Sequence, residues 1–543
     1  MIEWFKRKTL ISKGLRCDRT RRHTSSSQWF VALDTNPILR CVILILLLLA
    51  TVRISYWDNS AFTLPQITLT AIVFYLTVVS FMPLIARELW ESNHLLTLAS
   101  VCLVFNLLVN RVIVIYLDPA TLGFPSKEPT LACALSPMLL TILVSADAGV
   151  FLAVVMALAN HIFISLPATS DVVLAGNLFI SCSGVFFAQA IRRRSDLVFA
   201  GFVVGGVGFF CETVLFFTTG DASLSALQKI DWLFLILNAT WALFLGVTTA
   251  LVVSAILPIL EWVFDRITDI SWLELTDLNH PLLKRLQLEA PGTYHHSLMV
   301  ANLAEAAASR IHGNPTMCRT MAYFHDVGKL HKPEMFIENT SQEENPHNSL
   351  TPSMSALVII AHVKEGVSLA LQYGLPMPVI DGIQQHHGTT VIYYFYKKAL
   401  QQQEDAKLGS EILKLSNAEL PQVDKNAFQY PGPIPTFRES AILSLADAIE
   451  SSSRSLRTPT LPAVENLVQS IVNERLTSGQ LDESGLTLDE IRAISDQFVH
   501  TLKTMFHVRI PYPKEKRENE TSDDSDKLPK TSLPESLETA KTG

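Results

Sequence analysis

Ten of the fifteen histidines lie between His280 and His387. Four of them fall on apolar stripes at helical spacing. His296 is in register with Val300, Leu303 and Ala307, and His325 with Met317 and Met321. His362 shares a stripe with Val358, Gly366 and Leu369, and His387 with Ile380 and Ile383. A single inward imidazole is ordinarily a core histidine satisfied by a polar neighbour. Several helices that each aim one inward are a different case, because buried imidazoles need partners and a metal ion satisfies many at once. The pair His325-Asp326, preceded by Tyr323-Phe324 and followed by Val327-Gly328-Lys329, adds a carboxylate able to bridge two cations. Asp447 shares a polar stripe with Ser440, Ser444 and Ser451, and by itself reads as solvent-facing.

The elements that must position these residues are predicted to be helices. Apolar residues recur at helical spacing around 295–311, 316–327, 355–373, 377–387, 437–456, 461–477 and 487–505. Gly313, Gly328, Gly374 and Gly388 stand where such helices should stop. Few alternating runs suggest strands. Residues 401–429 read as a polar surface insertion, and 513–543 as a disordered acidic tail that cannot bury a core.

Upstream the composition changes. The chain has 543 residues, 49 % hydrophobic and only 17 % charged, against about 25 % charged in soluble domains. Charge is sparse over 41–260 and ordinary thereafter, which excludes a single water-soluble globule, a disordered chain and a disulfide scaffold. A net charge of −8 gives no basic face for a nucleic-acid polymer. Five cysteines (Cys41, Cys102, Cys133, Cys182, Cys211) sit in apolar runs as small fillers, with no metal or disulfide spacing.

A bilayer span needs roughly 20 mostly apolar residues. Eight candidates lie near 38–57, 64–85, 95–117, 130–146, 148–166, 172–191, 197–218 and 232–257. The first is the weakest, with Arg40 and Arg53 bracketing its apolar run. A cleaved signal peptide is its alternative, opposed by the long basic stretch before it and by its distance from the start. Lys6, Arg7, Lys8, Arg16, Arg19, Arg21 and Arg22 place residues 1–37 on the cytoplasmic side. Eight spans return the C-terminal half to that side, with Arg192, Arg193 and Arg194 inside. Within the spans, Arg111 is expected to snorkel or to pair with a carboxylate, and Asp147 to sit at an interfacial turn. Glu212 has no assigned role. Neither repeat symmetry nor paired broken helices point to a transporter.

The ordered set His296, His325-Asp326, His362, His386-His387 and Asp447 resembles the HD phosphohydrolase superfamily. Four strings narrow the likeness: Asn279-His280-Pro281-Leu282-Leu283, Ala290 to Ser297 (Ala-Pro-Gly-Thr-Tyr-His-His-Ser), Phe336-Ile337-Glu338-Asn339 and Tyr430-Pro431-Gly432-Pro433. They resemble the seven-transmembrane HD-domain proteins, bacterial cyclic-di-AMP phosphodiesterases of the PgpH type. The likeness covers roughly 64–510 and is most specific over 279–456. Family members typically carry a large extracytoplasmic domain between the first span and the other seven; here only Asp58 to Thr63 are available.

The resemblance implies an all-α protein, a polytopic membrane bundle (first helix 38–57, seven-helix module 64–260) followed by a cytoplasmic α-helical HD phosphohydrolase domain, 261–512, in the bacterial inner membrane. It assigns His296, His325, Asp326 and Asp447 to one metal and His362, His386 and His387 to a second, with Asp326 bridging. Such ligation suits Fe, Mn, Zn or Co over Mg or Ca, and the family favours iron or manganese. Two ions about 3.5–4 Å apart lower the pKa of a bridging water and clamp phosphoryl oxygens. The implied reaction is hydrolysis of cyclic-di-AMP to linear pApA, with Asp326 and Lys329 catalytic. Lys329 would hold a non-bridging or leaving oxygen, the alternative being a helix-terminal cation that complements the dipole. His295, His347 and Tyr430 are candidate substrate contacts, each of the two histidines being equally readable as structural. Gly388-Thr389-Thr390 stands after the His pair where a cyclic-di-GMP hydrolase would show Gly-Tyr-Pro. A nucleotide-binding receptor without catalysis, an HD hydrolase acting on another nucleotide and a transporter are the rival readings, and self-association stays open.

Overall fold

The computed structural model describes residues 33–57, 63–116, 132–164, 171–219, 232–340, 345–412, 422–456 and 460–506. The expected acidic tail and most of the basic N-terminus lie outside these residues. Every regular element among them is helical, apart from one isolated bridge between Val391 and Gln429.

The membrane half contains α1 (Pro37–Tyr56), α2 (Leu64–Ile85), α3 (Asn93–Tyr116), α4 (Leu135–Leu143), α5 (Ala146–Ala159, prolonged by a π-turn Asn160–Ile164), α6 (Asp171–Ala188), α7 (Arg194–Thr219) and α8 (Trp232–Phe264). Local chemistry sets their starts. Asn36 caps α1 ahead of Pro37, Thr63 and Gln66 form a capping box on α2, and Ser145 caps α5. Leu49, Leu76, Phe179, Phe202 and Phe244 are all exposed, as apolar side chains facing lipid should be.

Seven described helices are long and apolar enough to cross a membrane, but one of them, Pro352–Gln372, lies in the C-terminal half. Its hydropathy serves a protein core. The fourth expected span, near 130–146, is reduced to the nine residues of α4. Nine residues rise only about 14 Å, less than half of the roughly 30 Å hydrocarbon layer. Its start is held by side chains instead of by preceding helix. Asn106 accepts from the Ser136 amide and donates to the Ala132 carbonyl, and Asn110 accepts from the Ala132 amide and donates to Asn160. Irregular backbone at membrane depth needs such internal partners. Arg111 donates to the Trp57 carbonyl at the end of α1. Both Glu212 carboxylate oxygens are buried and make no hydrogen bond among the described residues.

The C-terminal half follows through two short helices, Asp269–Leu275 and Pro281–Glu289. Then come α9 (Pro291–Arg310), α10 (Pro315–Phe324), α11 (Pro352–Gln372), α12 (Met377–Gln385), α13 (Tyr393–Ile412), α14 (Arg438–Ser453), α15 (Leu461–Thr477) and α16 (Leu488–Met505). Proline occupies the first turn of α9, α10, α11, α12 and α15, where its missing amide costs nothing. The half has its own apolar core, from Trp272 to Leu502, distinct from the membrane core. The polar stretch before Tyr430 is not wholly superficial. Phe428 is buried with Ala356 and Phe395, and the Phe428 carbonyl accepts from the Ile392 amide.

Where the halves meet, the Glu261 carboxylate at the end of α8 accepts from the Thr268 amide at 3.2 Å and from the Ser271 hydroxyl at 2.8 Å, fixing the turn between them. A cavity of about 560 Å³ opens beside it, walled by Val144, Ala188 and Arg266 and by Met377 and Pro378 of α12.

Candidate metal centre

Five helices and one tight turn converge on Asp326. His296 comes from the second turn of α9, His325 closes α10, His362 lies mid-α11, His386-His387 close α12, and Asp447 lies mid-α14. The turn after Asp326 must press against α11, and Gly328 permits it: a Cβ there would collide with the His362 carbonyl oxygen. Asp447, which looks solvent-facing on its stripe, is only 6 % exposed, because the polar face of α14 turns toward these imidazoles.

The two Asp326 oxygens address different partners. Oδ2 faces His296 Nε2 at 3.6 Å and His325 Nε2 at 3.3 Å; Oδ1 faces His362 Nε2 at 3.4 Å and His386 Nε2 at 3.8 Å. Asp447 also straddles the cluster, with Oδ1 at 3.0 Å from His296 Nε2 and Oδ2 at 3.7 Å from His387 Nδ1. Asp447 thus reaches both groups of imidazoles, beyond its expected place in one.

The donor set fits cations. His325 Nε2 and Asp326 Oδ1 are buried and make no hydrogen bond among the described residues. The Nε2 atoms of His362 and His386 face each other at 3.3 Å. His362, His386 and His387 form one group of potential donors within 4.8 Å of one another, and His296, His325 and Asp326 another. Donor atoms around an ion bound at about 2.1 Å stand about 3.0–3.4 Å apart, close to the spacing seen here.

The imidazoles are pre-oriented. Nδ1 of His325, His362 and His386 bonds the carbonyl three residues earlier (Ala322, Ile359 and Ile383) at 2.7, 2.6 and 2.8 Å, which turns each Nε2 lone pair inward. His296 uses a carboxylate instead: Nδ1 lies 2.5 Å from Glu450, itself held by Arg454 at 2.7 Å. The sequence does carry a faint signal for Glu450, three residues after Asp447 on the same face of α14.

Electrostatics divides the cluster. Burial disfavours charge on His325, but Asp326 and Asp447 prevail and hold its pKa up at about 10. Burial pulls His386 down to about 3, reinforced by the His325 charge, and lowers His362 and His387 too. Burial opposes the charge on both carboxylates, but Lys329 and the imidazoles keep Asp326, and the imidazoles keep Asp447, well below the usual range.

Lys329 and Tyr430 adjoin the cluster, whereas His295 and His347 do not contact it among the described residues. Lys329 Nζ is clamped between Asp326 at 2.8 Å and Glu338 at 2.7 Å. Burial opposes its charge, yet these two carboxylates raise its pKa. Tyr430 stacks on His387 with ring centroids 4.2 Å apart. His295 lies on the exposed side of α9. His347 is buried, its Nε2 2.8 Å from the Met335 carbonyl oxygen and its ring against Phe395.

Two family models match, the HD domain over residues 293–452 and the "7TM receptor with intracellular HD hydrolase" over 61–268. The chain thus carries, in order, the two modules of the seven-transmembrane HD family, each matched by its own model. It is 32 % identical over 392 residues to the cyclic-di-AMP phosphodiesterase PgpH of Listeria monocytogenes, covering 70 % of this chain and 50 % of that protein. The Bacillus subtilis PgpH is 34 % identical over 340 residues, 62 % of this chain and 44 % of the relative. An uncharacterised Synechocystis protein is 35 % identical over 342 residues, 63 % and 40 % respectively. The chain therefore spans about half the length, or less, of these relatives. Crystal structures of the L. monocytogenes PgpH HD domain, alone and with cyclic-di-AMP, are 38 % and 39 % identical. Each covers 42 % of this chain and 100 % or 99 % of its own, with a TM-score of 0.38. The family and the all-α, multi-pass architecture expected from the sequence both hold.

Proposed function

We propose that this chain is a metal-dependent phosphodiesterase that hydrolyses cyclic-di-AMP to linear pApA, with 261–512 as its catalytic unit facing the cytoplasm. The observation that carries this reading is Asp326, whose two oxygens each face a separate group of inward imidazoles. The cyclic-di-AMP phosphodiesterases of L. monocytogenes and B. subtilis, at 32 % and 34 % identity, support the substrate. His296, His325, Asp326 and Asp447 would hold one ion and His362, His386 and His387 the other, iron or manganese. When bound, such ions make a nucleophile of water at neutral pH and neutralise the phosphodiester charge.

The chain's own groups do the rest. Backbone carbonyls and Glu450 orient His296, His325, His362 and His386, so these four donors point inward before any ion arrives. Lys329 balances the Asp326 charge in a dry site and keeps that carboxylate deprotonated. Tyr430, stacked on His387, offers an aromatic face at the cluster's edge. None of the seven donor positions is missing, which argues against a receptor that only binds nucleotide.

The test offers purified full-length protein in detergent, with Mn²⁺ or Fe²⁺, cyclic-di-AMP, cyclic-di-GMP and guanosine tetraphosphate in parallel, beside Asp326→Ala. Selective cleavage of cyclic-di-AMP, lost in the variant, is expected. Cleavage of a different nucleotide alone would overturn the substrate, and binding without turnover under either metal would overturn catalysis.

A further inference from the structure

One arginine of the C-terminal half is left partly unsatisfied among the described residues. Arg475, in the last turn of α15, has its Nη1 buried without a hydrogen-bond partner among the described residues. Four other arginines of this half hold a carboxylate: Arg285 with Glu289, Arg319 with Glu305, Arg438 with Glu490 and Arg454 with Glu450. Leaving a buried N–H group without a partner costs free energy, so the chain keeps this one against a penalty.

Its position is fixed by the loop that leaves the His pair. The Gln480 amide donates to the Arg475 carbonyl at 3.0 Å. The Gln480 side chain then grips Thr389 twice, accepting from its amide and donating to its hydroxyl, both at 2.9 Å. Thr389 is two residues past His387, across the left-handed turn at Gly388. Burial lowers the Arg475 pKa, and the charges that act on it are those of Asp447, Glu474 and Tyr430. The Gln480–Thr389 contacts thus tie the end of α15 to the loop that leaves the His pair. Lys329, the other cation of the site, is already shared by two carboxylates.

Resting on the phosphodiesterase reading, we propose that Arg475 is a substrate-binding residue, whose guanidinium grips a phosphodiester oxygen of the cyclic dinucleotide at the rim of the metal centre. A guanidinium suits this work because its fork offers paired donors to two oxygens of one phosphate. The residue lies beyond the matched HD segment, which ends at 452, and a lone arginine in a helix gives no sequence signal.

The test uses full-length protein in detergent with Mn²⁺, comparing wild type, Arg475→Ala and Arg475→Lys for metal content and for KM and kcat on cyclic-di-AMP. The alanine variant is expected to keep its metal and to raise KM about tenfold or more, with kcat changed less and lysine restoring part of the loss. Unchanged kinetics in an active background would overturn the role while leaving the phosphodiesterase reading standing. Loss of metal in the alanine variant would also overturn it, by making Arg475 a prop for Asp447. If wild type cleaves no cyclic-di-AMP, the parent reading fails, and binding of inorganic phosphate to the Mn²⁺-loaded proteins decides. Binding lost in the alanine variant keeps Arg475 as an anion clamp, and equal binding sinks it.

Discussion

At the scale of single residues, the protonation states of the metal-free cluster set how it loads. An imidazole ligates only when neutral, so ions compete with protons. His325, held near a pKa of about 10 by Asp326 and Asp447, is protonated at pH 7; His386, near 3, is not. Filling the His296–His325–Asp326–Asp447 group must therefore expel at least one proton at pH 7, and its affinity should climb with pH. The His362–His386–His387 group should load with little pH dependence. Titration calorimetry in buffers of different ionisation enthalpy measures this, and two ions binding without proton release would contradict it. Glu450 makes a second prediction. Removing the carboxylate that orients His296 (Glu450→Ala) should weaken one ion about 10- to 100-fold, read by equilibrium dialysis against a metal buffer, with the other ion unaffected.

At the scale of elements, the histidine-bearing helices were legible because burying an imidazole-bearing stripe leaves an apolar period in the sequence. Asp447 was legible only through the family resemblance, since a polar stripe looks the same whether it faces water or a metal cluster. Arg475 and Glu450 were missed for a related reason: their meaning lies in partners far along the chain. The half-length α4 escaped because an apolar run over 130–146 counts toward a span by composition, whereas its start depends on Asn106 and Asn110 of α3. Close approach is equally invisible in composition. Gly328 lets the Asp326 turn rest on α11, so Gly328→Ala should separate the two donor groups. We expect a loss of about 1–3 kcal/mol in stability from overpacking and of at least one bound ion, checked by thermal melts with metal analysis. Native metal content in that variant would show the contact to be dispensable.

At the scale of the whole molecule, two apolar cores meet at a joint that α12 shares. Met377 and Pro378 at its start line the cavity beneath the membrane half, and His386-His387 follow its end. The proposed orientation puts Ser195 on the cytoplasmic face, with the C-terminal half, and Thr63 on the opposite one. In a cysteine-free background, Thr63→Cys should react with an impermeant maleimide on intact cells and Ser195→Cys only after permeabilisation; the reverse pattern would invert the proposed orientation. The domain order was legible because charge density changes near residue 261, while the joint was not, since Glu261, Thr268 and Pro378 are ordinary residues until folded together. The central claim is that two ions bridged by Asp326 perform the hydrolysis. Its most direct test is to strip full-length protein with chelator, return Mn²⁺ stepwise, and measure bound ions and cyclic-di-AMP cleavage on the same samples. Cleavage should appear only as the second ion binds and reach its maximum at two per chain, with Asp326→Ala inert. Full activity at one ion, or an active Asp326→Ala protein, would contradict it.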